Sequence, residues 1–317
     1  MGFYQYLRLM RPAQWYKNVL VFLAIIFAEV DPYPAIPKVL NFTYYPPLIL
    51  GFLAFCAVSS ATYIFNDIQD LEADAAHPEK KNRPLPSGEV SRRTSMILAI
   101  ILLVSGFTLG IYLNALFFIC LIIYLITTQL YNAYLRKWAI VDVVTIAVGF
   151  IIRAISGAFL IDENFTSWLV IGVFFFALVL GFGKRKNELQ YLGEKAAEHK
   201  PVFTQYTEKI LDQGITMSAT WFIFFYTLYC FNKYGAVMEQ QPIMLTVPVV
   251  AGIVMRYVYL IQIGSPVGRK PLLAFKDFGI SIGIVIFLVT LLWTLFFWVA
   301  IENAFWAFWN SITAWIP

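Results

Sequence analysis

Charged residues divide this chain into long apolar runs. Lys38 and Asp67 enclose 28 uncharged residues, Arg93 and Arg136 enclose 42, and Glu163 and Lys184 enclose 20. Asp212 and Lys233 enclose another 20, and Asp277 and Glu302 enclose 24. A helix crossing the hydrocarbon core needs about 20 predominantly apolar residues, because lipid offers the backbone no other hydrogen-bond partners. Each run therefore predicts a spanning helix, and the run of 42 predicts a helical hairpin that turns near Asn114. Two more spans are each interrupted by one arginine, residues 143–161 around Arg153 and 240–263 around Arg256. The first run, Asn18 to Ala28, is short and crosses only if extended back through Trp15. The predicted fold is an all-α, polytopic membrane protein, a nine-helix transmembrane bundle forming one domain over residues 1–317.

Composition agrees with lipid as the solvent. Hydrophobic residues make up 60% of the chain and charged residues 13%, against about 45–50% and about 25% in soluble domains. An ordinary soluble enzyme, a disordered chain and a disulfide-rich secreted fold are excluded. Cys56, Cys120 and Cys230 each sit in an apolar run without metal-ligand spacing, so they read as small buried residues. No cleavable signal peptide is expected, and the N-terminus stays attached. With nine spans, nineteen of the 23 Lys and Arg fall on one side, which places the N-terminus in the cytoplasm of a cell (plasma or inner) membrane. Trp306, Trp309 and Trp315 at the opposite end suit an interfacial aromatic belt. The long polar loops, residues 67–94 and 184–215, lie on the cytoplasmic side, where a site would face water.

The second span ends in Asn66-Asp67-Ile68-Gln69-Asp70-Leu71-Glu72-Ala73-Asp74. At about 100° per residue, Asp67, Asp70 and Asp74 share one helix face, with the Asn66 oxygen beside them. Three carboxylates there repel one another unless a cation joins them, and an oxygen-only ligand set suits Mg²⁺ shared with substrate phosphates. A solvated acidic helix end is the plainer alternative, and the macrodipole disfavours it. The segment from His77 to Gly88 follows, and its Lys80 and Arg83, flanked by prolines, suit phosphate oxygens that a metal cannot reach. Lys81 reads as an ordinary basic loop residue and His77 as a structural hydrogen-bonding group.

The N-D-x-x-D-x-x-x-D run resembles that of the UbiA superfamily of intramembrane prenyltransferases. More narrowly, the chain resembles the decaprenyl-phosphate phosphoribosyltransferase branch. Four stretches carry the likeness: Arg11 to Leu20, His77 to Pro84, Tyr131 through Asp142 to Arg153, and Gly183-Lys184-Arg185 with Glu188. Arg256-Tyr257 and Asp277 also fit. Ala75 stands where the branch commonly has a basic residue. Between spans four and five, where the wider superfamily carries a second Asp-rich motif, this chain has Asp142 alone, after Tyr131, Arg136 and Lys137.

The resemblance implies transfer of 5-phosphoribose from phosphoribosyl pyrophosphate (PRPP) to a polyprenyl (decaprenyl-type) phosphate, with Mg²⁺ on Asp67, Asp70 and Asp74. Pyrophosphate leaves, and the lipid phosphate, already an anion, attacks the opposite face of the sugar without a general base. Lys17, Asn66, Lys80, Arg83, Tyr131, Arg136, Lys137, Asp142, Arg153, Lys184 and Arg185 are the expected substrate-binding residues. Arg153 lies close to three turns beyond Asp142, with Gly149 between, and an arginine inside a span is a functional candidate or half of an ion pair. Lys17 either binds phosphate or snorkels, and the resemblance favours binding. Lys184 and Arg185 suit phosphate contact and a basic helix end equally well. Two other readings remain: a prenyltransferase moving a prenyl group from a prenyl diphosphate to an aromatic or glycerol-phosphate acceptor, and a transporter whose charges line an ion path. No nucleic-acid partner is expected, and a homo-oligomer is left open.

Overall fold

The computed structural model describes residues 3–28, 38–76, 80–164, 166–193, 196–235 and 242–313, and all the regular structure among them is helical. The chain forms two compact units, Met1–Phe165 and Thr166–Pro317.

In the first unit, α1 (Phe3–Met10) leads through Arg11, whose backbone is left-handed at φ 55°, into a 3₁₀ helix over Pro12–Phe22 and a short α2 (Leu23–Ile26). A 3₁₀ helix rises about 2.0 Å per residue instead of about 1.5 Å, so this stretch reaches about 28 Å, near the hydrocarbon thickness. The short first run thus gains length by overwinding, which the spacing of charges did not reveal. Helix α3 (Tyr45–Gln69) opens on two prolines in its first turn, where no amide partner is needed. It stops at Asp70, and α4 (Leu71–Ala76) follows.

Ser91 caps α5 (Arg92–Leu113), its Oγ accepting from Thr94 N at 3.1 Å. The predicted hairpin turns at Asn114, whose Oδ1 accepts from Leu116 N at 2.8 Å and Phe117 N at 3.2 Å to start α6 (Ala115–Ala133). Helix α7 (Val141–Leu160) completes the unit. Its core joins Val21, Phe55, Phe117, Leu121, Tyr124 and Ile152. Lys38 donates to Glu163 at 2.6 Å, a pairing of two residues that the span count assigns to one membrane side.

The second unit comprises α8 (Ser167–Leu192), α9 (Ala196–His199), α10 (Glu208–Gly235), α11 (Thr246–Gln262), α12 (Phe278–Leu292) and α13 (Trp298–Thr313), the last two joined by a π turn over Trp293–Phe297. Phe175 stacks on Phe225 at 5.5 Å between α8 and α10. Lys186 donates to Asp212 at 2.5 Å and to Gln262, tying α8, α10 and α11 together. Arg256 forks onto Asp277 at 3.1 and 2.9 Å.

Seven helices among the described residues are long and apolar enough to cross a membrane. They match predicted spans two to eight. The ninth begins as the shorter apolar helix Phe278–Leu292 and continues helically to Thr313, past the predicted end at Glu302. Helix α8 outruns its apolar run by two turns, so Lys184, Arg185 and Glu188 lie on a helix and not in the predicted loop from 184. The three cysteines are buried and free, as expected. Trp306 and Trp309 are exposed on α13, while Trp315 lies outside the described residues.

Candidate active site

The acidic motif does not lie on a single helix face. Asp67 is in the last turn of α3, Asp70 ends that helix, and Asp74 belongs to α4. Asp67 and Asp74 are 1% exposed. Burying two carboxylates requires compensating charge, and arginines supply it. Arg83 Nη1 donates to Asp74 Oδ2 at 2.6 Å and Asp67 Oδ1 at 3.2 Å. Arg11, beside the 3₁₀ helix, also donates to Asp67. Asp70 faces the other way and takes both arms of Arg136, at 2.8 and 2.9 Å. These hydrogen bonds push the Arg136 guanidinium above its ordinary pKa. The three arginine side chains stay 22%, 30% and 37% exposed, so their outer donors can meet a water-soluble ligand.

A second polar layer lies deeper. Ser59 is eight residues before Asp67 on α3, about 12 Å lower. There Arg153, 4% exposed, donates from Nε to Asn18 Oδ1, from Nη1 to Gly149 O and from Nη2 to Tyr124 Oη, each at 2.7 Å. Asn18 in turn donates to Cys56 Sγ at 3.2 Å and Ser59 Oγ at 3.3 Å. This network depends on Gly157, one turn beyond Arg153. A Cβ at Gly157 would fall on the carbonyl oxygen of Val21 and within 2.9 Å of its carbon. The bare glycine therefore lets the 3₁₀ backbone close on α7. Arg153 does not pair with Asp142, which is fully buried and accepts from Val143 N at 2.8 Å.

A model of the UbiA prenyltransferase family matches residues 18–276. The chain belongs to this family. Decaprenyl-phosphate phosphoribosyltransferase from Mycolicibacterium smegmatis is 31% identical over 72% of this chain and 70% of its own length. The protein of the same description from Mycobacterium tuberculosis is 29% identical over 71% and 73%. A solved UbiA homologue from Archaeoglobus fulgidus, bound to GPP and Mg²⁺, superposes with a TM-score of 0.67 at 18% identity, covering 89% of this chain and 99% of that one. The protein is thus a multi-pass membrane transferase of the UbiA family whose sequence likeness runs to the phosphoribosyltransferase branch.

Among the described residues of this UbiA-family chain, no three His, Cys, Asp or Glu side chains gather as a ready metal cage. The predicted convergence of Asp67, Asp70 and Asp74 on one ion is therefore not preformed: the helix break turns Asp70 toward Arg136, and guanidinium groups neutralise the acids. The donor set still fits a hard divalent cation. All its ligands are oxygens, and Asn66 Oδ1 beside them is buried with no hydrogen-bond partner.

The other predicted site residues divide by unit. Tyr131 is half-buried near the end of α6, and Lys137 is exposed beside Arg136. The Lys80 side chain and all of His77 lie outside the described residues. In the second unit, Arg185 Nη1 donates to Glu188 at 2.9 Å, Lys200 donates to it at 2.7 Å, and Lys184 stands 3.9 Å away. Sequence reasoning did not select Arg11, Asn18, Tyr124 or Lys200 as site residues. Arg11 and Asn18 fall within a quoted motif, but Tyr124 sits in an apolar run that gave no signal.

Proposed function

We propose that the protein transfers 5-phosphoribose from PRPP to a polyprenyl phosphate and releases pyrophosphate, giving polyprenylphosphoryl-5-phosphoribose. The carrying observation is the pair of buried carboxylates, Asp67 and Asp74, shared by one half-exposed arginine at the end of a spanning helix. The names of the mycobacterial relatives supply the substrate classes.

Mg²⁺, held by Asp67, Asp70 and Asp74 with Asn66 in support, would neutralise charge on the leaving diphosphate. Arg83 and Arg136 hold the carboxylates in position and offer their outer N–H groups to phosphate oxygens. Lys80 and Lys137 add cations on the same loops, and Tyr131 and Asp142 orient the ribose hydroxyls. The C1–O bond to pyrophosphate breaks and its electron pair leaves with pyrophosphate. A lipid phosphate oxygen then bonds to C1 from the opposite face. That oxygen is already anionic near neutral pH, so no side chain has to remove a proton. Positioning and fixed charge supply the rate. Residues 1–317 act as one transferase domain in the cell membrane, with these loops facing the cytoplasm.

The test is mass spectrometry of lipid products after incubating purified protein with PRPP, polyprenyl phosphate and Mg²⁺. The expected product is the phosphoribosylated lipid, absent when EDTA is added and absent with Asp70→Asn. Turnover of a prenyl diphosphate with no use of PRPP would replace this reading with prenyl transfer. Ion uptake by proteoliposomes without chemistry would replace it with transport.

A further inference from the structure

Arg83 meets both buried carboxylates, Asp74 at 2.6 Å and Asp67 at 3.2 Å, yet it stands on a loop and not on a helix. Three backbone hydrogen bonds close that loop into a knot. Ser87 N donates to Arg83 O at 2.9 Å, Gly88 N to Leu85 O at 3.1 Å and Val90 N to Pro84 O at 3.0 Å. Gly88 supplies the left-handed backbone of the turn, at φ 76°. These bonds set the shape of the knot, but none of them sets its angle to the aspartates.

Helix α1 does. Leu9, 1% exposed, shares a core cluster with Ile64 of α3 and with Leu85 and Val90 of the knot. One residue earlier, Arg8 bridges the two ends of the knot: Nη2 donates to Asn82 O at 2.9 Å and Nη1 to Glu89 Oε2 at 3.3 Å. The Glu89 pair is 38% and 35% exposed, and such a pair contributes little by itself. The Asn82 bond has more leverage. Asn82 O belongs to the planar peptide unit that carries the nitrogen and Cα of Arg83, so a charged donor on that oxygen orients the backbone from which the Arg83 side chain departs. Ser87 N holds the carbonyl on the far side of Arg83. The same helix leads into Arg11, which donates to Asp67, an acid that Arg83 also meets.

We infer that Arg8 is a positioning residue, which acts through Asn82 to fix the reach of Arg83 to Asp67 and Asp74 and thereby raises the affinity of the carboxylate layer for a diphosphate with Mg²⁺. The diphosphate rests on the proposed reaction, whereas the bridge from α1 to the knot rests on the contacts alone.

The test is a double-mutant cycle of Arg8→Gln and Arg83→Gln in the full-length protein in detergent, read as binding of inorganic pyrophosphate with Mg²⁺. Arg8→Gln should weaken that binding about tenfold with Tm unchanged, because Leu9 still anchors α1. In the Arg83→Gln background the same substitution should bring no further loss. Glu89→Gln leaves an oxygen for Arg8 and should bind as wild type. In turnover, Arg8→Gln should raise KM for PRPP and leave kcat unchanged. Hydrogen exchange on Arg8→Gln alone needs no second variant, and the Ser87 amide should exchange at least about tenfold faster than in wild type. Wild-type pyrophosphate affinity or wild-type exchange at Ser87 in Arg8→Gln would overturn the inference. So would an equal loss in both backgrounds, or a wild-type protein that binds no pyrophosphate. A wild-type protein that binds pyrophosphate but does not use PRPP would overturn the proposed reaction and leave this inference standing.

Discussion

The first unit has two polar layers about two helical turns apart, and they solve the problem of charge in different ways. The upper layer is balanced, with three aspartates facing Arg11, Arg83 and Arg136. Its arginines remain partly exposed, so their outer donors can engage phosphate while the inner ones hold carboxylate. In the lower layer the hydrogen-bond partners of Arg153 are all neutral. An ion pair beside water is readily exchanged, whereas the buried Arg153 is held by neutral dipoles.

The strongest way to break the upper layer is Asp67→Asn. It leaves Arg11 and Arg83 without their shared carboxylate, and turnover should fall at least about 100-fold in a product assay. Gly157→Ala attacks the lower layer through its scaffold. The added methyl meets the Val21 carbonyl, separates Asn18 from Arg153, and should cost about 1–3 kcal/mol, read as a lower Tm in detergent. Arg136→Lys keeps the charge opposite Asp70 and loses the two-armed grip, so kcat/KM for the donor should drop about tenfold with Tm unchanged. The smallest effect belongs to Arg256→Gln in the second unit. Arg256 and Asp277 form an exposed pair, and both turnover and Tm should stay at wild type.

Much of this architecture was legible because lipid permits so few solutions. A gap of about 20 uncharged residues in such a chain has little choice but to span, and four such gaps with the two arginine-interrupted runs became seven helices long and apolar enough to cross. Asn114 marked the hairpin because an uncharged capping residue was needed inside the run of 42. The first segment was harder to read, since overwinding into a 3₁₀ helix changes length without changing composition. The reach of α8 through Lys184 to Leu192 was hidden because charged residues end an apolar run without ending a helix. At the site, acid clustering was visible in the spacing of Asp67, Asp70 and Asp74. Their partners were not. Arg136 meets Asp70 across 66 residues and Arg153 meets Asn18 across 135, and local periodicity carries no information at that range. Arg153 stood out as a charge inside a span, and its partners Asn18, Gly149 and Tyr124 are neutral and not the acidic group that the sequence offered as an alternative.

We propose that the upper layer receives a diphosphate through a divalent ion. Isothermal titration of PRPP into the detergent-solubilised protein tests it most directly, with and without Mg²⁺ and with Asp70→Asn alongside. Binding should saturate, require Mg²⁺ and disappear in the variant. Binding of equal strength in EDTA, or undiminished in Asp70→Asn, would contradict it.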